Sequence, residues 1–268
     1  MAQFTKRTIA TAACAVILAG AGTAYADVDI AIDPVTKDIV EASAAIITTY
    51  ADAGPGLTPD TAVAALVSQA ETAVAPLTER VVATAQSDIL RAQNDAGESA
   101  LGNLIADSQR ATMGTDFAFM NPGGIRADIY AGQVTWGNLY TVQPFNNYLV
   151  KMELTGQQVY DVLNQQWFNQ SYAKILQISG LTYTWDNSRP ENDRVVEVRK
   201  DGVAIDLNAV YSVTANNFIS DGGDNFIAFK QGIDKVVGPV DVDALTAYMQ
   251  NLAQPVSAQI EGRITRLN

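Results

Sequence analysis

Three short segments combine glycine, amide and aromatic residues where β-rich stretches end, and each pattern suits a flat, polar ligand. The first is Asn121-Pro122-Gly123-Gly124-Ile125-Arg126. Gly123 and Gly124 let backbone N–H groups approach a ligand closely and can form an anion-cupping nest. Arg126 adds a planar fork suited to phosphate. The plain alternative is a tight turn whose arginine pairs with a surface acid. The second is Gln143-Pro144-Phe145-Asn146-Asn147. Phe145 offers an apolar face beside the amides of Asn146 and Asn147, and stacking a base on such a ring contributes about 1–3 kcal/mol. Against this stands an ordinary core phenylalanine. The third runs from Asn216 to Phe226. Asp224, in a glycine turn, can accept hydrogen bonds from vicinal sugar hydroxyls, and Phe218 supplies a second aromatic face. A common Asp-Gly turn is the competing reading.

Much other chemistry is excluded by what is missing. The chain has no histidine, and its single cysteine is Cys14. Ser-His-Asp hydrolysis is ruled out, and the usual general base and commonest transition-metal ligand are gone. Carboxylates such as Asp241 and Asp243 fall at helix starts and do not gather into a ligand set. No catalytic residue, metal or cofactor is therefore expected. The net charge is −12, which repels nucleic acid and anionic membranes and leaves neither as an expected partner. A small anionic ligand would need a local positive pocket.

The elements that must position these loops follow from periodicity. Residues 1–26 read as a cleavable export signal, with Lys6 and Arg7, an apolar run over 9–19, and Ala24-Tyr25-Ala26 as cleavage site. A membrane anchor needs about 20 apolar residues, so a periplasmic or secreted protein is expected. Residues 27–85 are expected to be a helical segment. Ile39, Val40, Ile46, Ile47 and Tyr50 follow helical spacing before Gly54-Pro55-Gly56 interrupts. Thr58 then serves as N-cap with Pro59 at the first helical position, and Val63, Leu66, Val67 and Ala70 mark one face. From residue 86 strands and helices intermix. Leu101, Leu104, Ile105 and Ser108 stripe a helix, and a buried strand over 117–120 runs into the first loop. A strand over 148–154 precedes a helix capped by Thr155, with Val159, Val162, Leu163 and Trp167 inward. Asp201-Gly202 turns a hairpin, a strand over 211–215 leads into the third loop, and a last helix starts near Asp241. Without strict βαβ alternation the class is mixed α/β (α+β).

Taken together, Glu98 to Asp107, Asn121 to Arg126, Gln143 to Asn147, Phe218 to Phe226 and Glu261-Gly262-Arg263-Ile264 resemble the C-terminal domain of the 5′-nucleotidase and UDP-sugar hydrolase family, in its order and spacing. The resemblance covers about residues 80–268, and domain limits of 86–268 are expected. It implies that Phe145 and Phe218 sandwich a nucleobase and that Asp224 binds ribose hydroxyls. It also implies that Asn121 and Arg126 contact the base region and the phosphate. Gly123, Gly124 and Asn147 complete the candidate set. One departure is that many members carry an arginine just before the Glu98-type helix, where this chain has Asn94-Asp95-Ala96-Gly97 and its nearest upstream base is Arg91. A larger one is that the family's metal-bearing N-terminal domain, which activates water, is not expected in this chain. The implied protein is an exported nucleoside or nucleotide binder in nucleotide catabolism or salvage, inactive alone. The alternative is a specificity subunit served by a separate metallophosphoesterase chain.

Overall fold

A computed structural model describes residues 60–268 in full. Before them it describes only the backbone of three antiparallel strands, β1 (Cys14–Ile17), β2 (Thr23–Ile32) and β3 (Ile39–Thr49). The helix expected from Ile39 onward is thus a strand. Its run of Ile, Val and Thr carries β-branched side chains that fit a pleated surface at least as well as a helical one. The rest of the expected export signal and the Gly54-Pro55-Gly56 break lie outside the described residues. Helix α1 (Thr61–Thr78) forms as expected but is capped differently. The Asp60 carboxylate accepts from the N–H groups of Ala62 (2.8 Å) and Val63 (3.1 Å), a cap two residues later than the one expected at Thr58. Val63 and Leu66, expected on a buried face, are 55% and 66% exposed.

The chain divides into two compact units, residues 1–71 and 72–268. The second unit begins earlier than the expected boundary at 86. Strand β4 (Val81–Ala85), which falls inside the segment expected to be helical, pairs antiparallel with β6 (Gly132–Thr135). Its β-branched Val81-Val82 pair favours the strand, and Val82, Ala83 and Ala85 are buried.

The second unit is the expected mixture of strands and helices. A five-stranded sheet has the order β13 (Ile233–Val240), β7 (Tyr148–Thr155), β12 (Val210–Asn216), β5 (Phe117–Met120), β8 (Gln177–Ser179). A second sheet has the order β11 (Val203–Ala204), β10 (Val195–Lys200), β9 (Thr182–Trp185), β14 (Ile264–Arg266). All four residues of β5 are buried, as a central strand covered on both faces requires. Helix α2 (Ala100–Met113) lies against β5 and β8 and also against α6 (Asp241–Asn251). It starts on Ser99, whose hydroxyl accepts from Gly102 N–H, and ends on Gly114 in the left-handed region, the conformation that a glycine adopts at no steric cost. The short helix α3 (Trp136–Val142), capped by Thr135, delivers the chain to Gln143. Thr155 caps α4 (Gly156–Asn164) with a reciprocal Gln158 bond, and Val159, Val162 and Leu163 are fully buried beneath it. Asp201 and Gly202 both have positive φ, 50° and 78°, the turn geometry expected of the hairpin.

Topology decides where the loops meet. Strands β5 and β12 are parallel neighbours, with Phe117 opposite Val213 and Phe119 opposite Ala215. Their C-terminal ends therefore leave the sheet side by side, β5 into Asn121 and β12 into Asn217-Phe218. Strand β7 runs antiparallel to β12, pairing Leu149 with Asn216. The chain entering β7, Gln143 to Asn147, thus arrives at the same end of the sheet. Carboxyl ends of adjacent strands are where open α/β sheets collect ligand-binding loops.

Candidate functional site

At that end the side chains are tied into one network. Asn216 caps the short helix α5 (Asn217–Ser220), accepting from Ile219 N–H at 3.0 Å, and donates its Nδ2 to Asn121 Oδ1 at 2.9 Å. Asn121 in turn donates Nδ2 to Asp224 Oδ2 at 3.0 Å. Both asparagines are buried. Asn121, expected at the base, has each end of its amide engaged and orients Asp224. Asp224 sits at φ 54°, a left-handed conformation that an acidic residue tolerates in a turn. Its second carboxylate oxygen receives Lys174 Nζ at 2.9 Å, and its carbonyl receives Gln170 Nε2 at 2.6 Å. A carboxylate has about four acceptor sites, so capacity for sugar hydroxyls remains after the bonds from Asn121 and Lys174.

The two glycines differ in the space around them. A Cβ on Gly123 would stand at ordinary contact distance, 3.7 Å, from Asp224 Oδ2 and Asn121 Nδ2. On Gly124 it would meet Met120 Cε at 2.5 Å and Asn121 Oδ1 at 3.1 Å, so a side chain there would have to shift the Met120 tip and press on the Asn121 amide. Arg126 is exposed, and its Nη1 donates to the Gly123 carbonyl at 3.3 Å. Its guanidinium carbon lies 6.0 Å from the centroid of Phe145, within reach of a cation–π contact. Among the described residues Arg126 makes no ion pair within 4 Å, unlike Lys174, Lys200 and Arg263. The alternative of a surface arginine paired with an acid is therefore not found among the described residues.

Phe145 and Phe218 are 54% and 45% exposed, whereas Phe117, Phe119, Phe226 and Phe229 are fully buried. The two rings that the sequence singled out are therefore not core. Phe218 packs its ring over Gly223, where a Cβ would stand 2.7 Å from the ring carbons. Arg126 stands between the first and second loops, with its guanidinium 6.0 Å from the Phe145 centroid and bonded to the Gly123 carbonyl, while Asn121 ties the first loop to Asp224 in the third. The loops bearing the two rings are also tied directly, because Tyr148 N–H donates to Asn217 Oδ1 at 2.8 Å.

Asn147 is half-buried and anchors its loop. Its carbonyl accepts from Asp241 N–H at 2.8 Å, and its side chain hydrogen-bonds the Asp241 carboxyl. Burial pushes that carboxyl up to about 7, partly offset by the bonds from Val242 N–H and Asn147. Behind the Asn121–Arg126 loop lies a cavity of about 370 Å³ lined by Arg91, Gln93, Ser99, Pro122, Ile125 and Asp128. Arg91, the upstream base noted in the sequence, reaches the Ile125 carbonyl at 3.4 Å. It stands beside the loop and not at Asp224.

Two of the five sequence segments serve the architecture. Glu98 is fully buried, accepts from Asn103 Nδ2 and Glu261 N–H at 2.7 Å each, and reaches Ile264 N–H at 3.3 Å. Arg263 forms a two-pronged pair with Asp107 at 2.8 Å on each prong. These contacts fasten the C-terminal strand to Glu98, just before α2, and to the middle of α2 at Asp107. Sequence reasoning missed Lys174 and Gln170, which lie in an irregular stretch with no periodic or motif signal.

A family model for the 5′-nucleotidase C-terminal domain matches residues 78–231, more than half of the chain. This chain belongs to that family. The endonuclease YhcR of Bacillus subtilis is 39% identical to it over 91% of the chain, and the cell wall protein Lmo0130 of Listeria monocytogenes is 33% identical over 90%. The chain spans only 20% and 33% of those relatives' lengths. The solved 5′-nucleotidase precursor of Thermus thermophilus superposes with a TM-score of 0.69 at 34% identity, over 91% of this chain and 50% of that one. The fold expected from the resemblance is thus the fold present. Among the described residues there is no group of three or more His, Cys, Asp or Glu able to hold a metal, and no helix is long and apolar enough to cross a membrane.

Proposed function

We propose that this family member is an exported module that binds a nucleoside or nucleotide, with the base between Phe145 and Phe218, the ribose hydroxyls on Asp224, and the phosphate at Arg126. The observation that carries this reading is the pair of solvent-exposed phenylalanines on loops held at one end of the sheet, tied through Asn121–Asp224 and Tyr148–Asn217, with Arg126, unpaired among the described residues, beside Phe145. An exposed aromatic ring has uncovered apolar area, and a base has the flat face to cover it. Export agrees with the leader-like residues 1–26 and with a relative named for the cell wall, and a place in nucleotide breakdown or salvage agrees with relatives named as 5′-nucleotidases. Calorimetric titration with adenosine, AMP and a UDP-sugar tests it. Saturable binding of at least one supports the assignment, and no heat from any of the three overturns it.

A second reading, a specificity component working with a separate metal-bearing phosphoesterase, is favoured by one observation: residues 78–231 match the C-terminal domain of 5′-nucleotidases. Under this reading the same residues hold the substrate while the metals that activate water are supplied elsewhere. AMP hydrolysis that appears only when such a partner is mixed with this chain would distinguish it.

A further inference from the structure

The segment after α4 grips the Asp224 turn from the side opposite Asn121. Gln170 bonds the Asp224 carbonyl, Asn225 Nδ2 donates to the Asn169 carbonyl at 2.7 Å, and Lys174 bonds the Asp224 carboxylate at 2.9 Å. The Lys174 and Asp224 side chains are only 17% and 21% exposed. Holding a carboxylate in place does not require a charge, because on the other oxygen the neutral amide of Asn121 does the same work at 3.0 Å. An ammonium on a flexible stem is entropically costly to fix and partly desolvated here. Its distinguishing contribution is its positive charge.

That charge changes the sign of the site. Asp224 and Arg126 alone cancel, in a chain whose overall charge is −12. With Lys174 they sum to one positive charge where a phosphorylated ligand, itself carrying about −1.5 to −2, must settle. Lys174 also has three donors and uses one on Asp224. The ammonium lies 5.8 Å from the ring centroid of Tyr172, which is 69% exposed.

We propose that Lys174 is a specificity-determining residue of this site: it cancels the Asp224 charge and so admits anionic nucleotides to a pocket that would otherwise favour neutral nucleosides. The inference rests on the nucleoside-binding reading above and adds the charge class of the ligand and the residue that sets it.

The test is titration of the full chain and its variants with AMP and with adenosine at low and high salt. Removing a unit charge several ångströms from a phosphate, at an effective dielectric between those of protein surface and water, corresponds to about tenfold in affinity. Lys174→Met is expected to weaken AMP binding about tenfold more than adenosine binding, with the difference shrinking as salt rises. Lys174→Gln, which keeps a donor for Asp224 and loses only the charge, should behave like Lys174→Met, and Lys174→Arg should restore the preference. Equal weakening of both ligands would make Lys174 a structural pin and overturn the proposal, as would unchanged AMP affinity in Lys174→Gln. An unaltered chain that binds adenosine while the variants show no AMP-specific loss sinks this proposal alone. An unaltered chain that binds neither ligand sinks the binding reading and this proposal with it.

Discussion

Replacing Phe218 by alanine separates a ligand-facing ring from a core ring. The side chain is 45% exposed in the free protein, and a fully buried phenylalanine hides roughly 150–250 Å². A base stacked on the open face can therefore cover up to roughly 90 Å². At about 25 cal/mol per Å² this is worth about 2 kcal/mol, inside the range of about 1–3 kcal/mol for base–aromatic stacking. The expected effect is a loss of adenosine affinity of about thirtyfold, and a similar loss for Phe145→Ala. The cost to folding should be smaller than the roughly 3–5 kcal/mol of a core phenylalanine deletion, because truncation at a half-solvated position opens a groove to water and leaves no sealed void. Phe226, fully buried in the same loop region, is the internal control: Phe226→Ala should unfold far more easily. Calorimetry with adenosine and urea denaturation of the three variants give the answer. If Phe145→Ala and Phe218→Ala bind normally yet lose as much stability as Phe226→Ala, the rings are structural and the site is elsewhere.

Three further outcomes follow from the same geometry. Arg126→Ala should lower AMP affinity while leaving adenosine nearly unchanged, and AMP binding to the unaltered chain should weaken with salt; equal affinities for AMP and adenosine before mutation would remove the phosphate role. The purified chain should not hydrolyse AMP with added Zn²⁺, Mn²⁺ or Mg²⁺, since it contains no histidine to serve as the usual metal ligand; metal-dependent turnover that vanishes in Asp224→Ala would refute this. The buried Asp241 carboxyl, raised from 3.8 to about 7, keeps its proton in the folded state at pH values where the unfolded chain has released it, so stability should fall as pH rises from about 4 to about 7. Asp241→Asn should flatten that slope, read as the urea midpoint at the two ends of the window, and an unchanged slope would place the titrating group elsewhere.

How far the sequence could be read depended on whether a signal was local. The Thr155 cap, the Asp201-Gly202 turn and the buried face of α4 are decided by residues three or four apart, and each is present as expected. The three loops were likewise legible, since glycine pairs, amides and aromatics mark their own backbone. Over residues 39–49 local reasoning failed, because Ile, Val and Thr at mixed spacing satisfy a helical stripe and a strand alike, and pairing with another strand decides between them. The same holds for β4, whose partner lies well downstream at Gly132–Thr135. Lys174 was invisible for a sharper reason. Its meaning comes entirely from Asp224, 50 residues away, and nothing near it in the chain announces a functional role.

A motif therefore mixes two kinds of residue that only the structure separates. Glu98 and Arg263 lie in segments as distinctive as the Asn121–Arg126 loop, yet their partners are backbone N–H groups near the C-terminus and Asp107. Their hydrogen-bonding capacity is satisfied inside the fold, where a buried charge must be paired to be tolerated at all. Phe145, Phe218 and Arg126 differ in what they leave open: two rings about half exposed to water and a guanidinium with no carboxylate within 4 Å among the described residues. Folding alone does not explain such residues gathered at one end of a sheet. The parallel pairing of β5 with β12 and the antiparallel pairing of β12 with β7 bring them together, so a change that disturbed this register would scatter the candidate residues while every motif remained in the sequence.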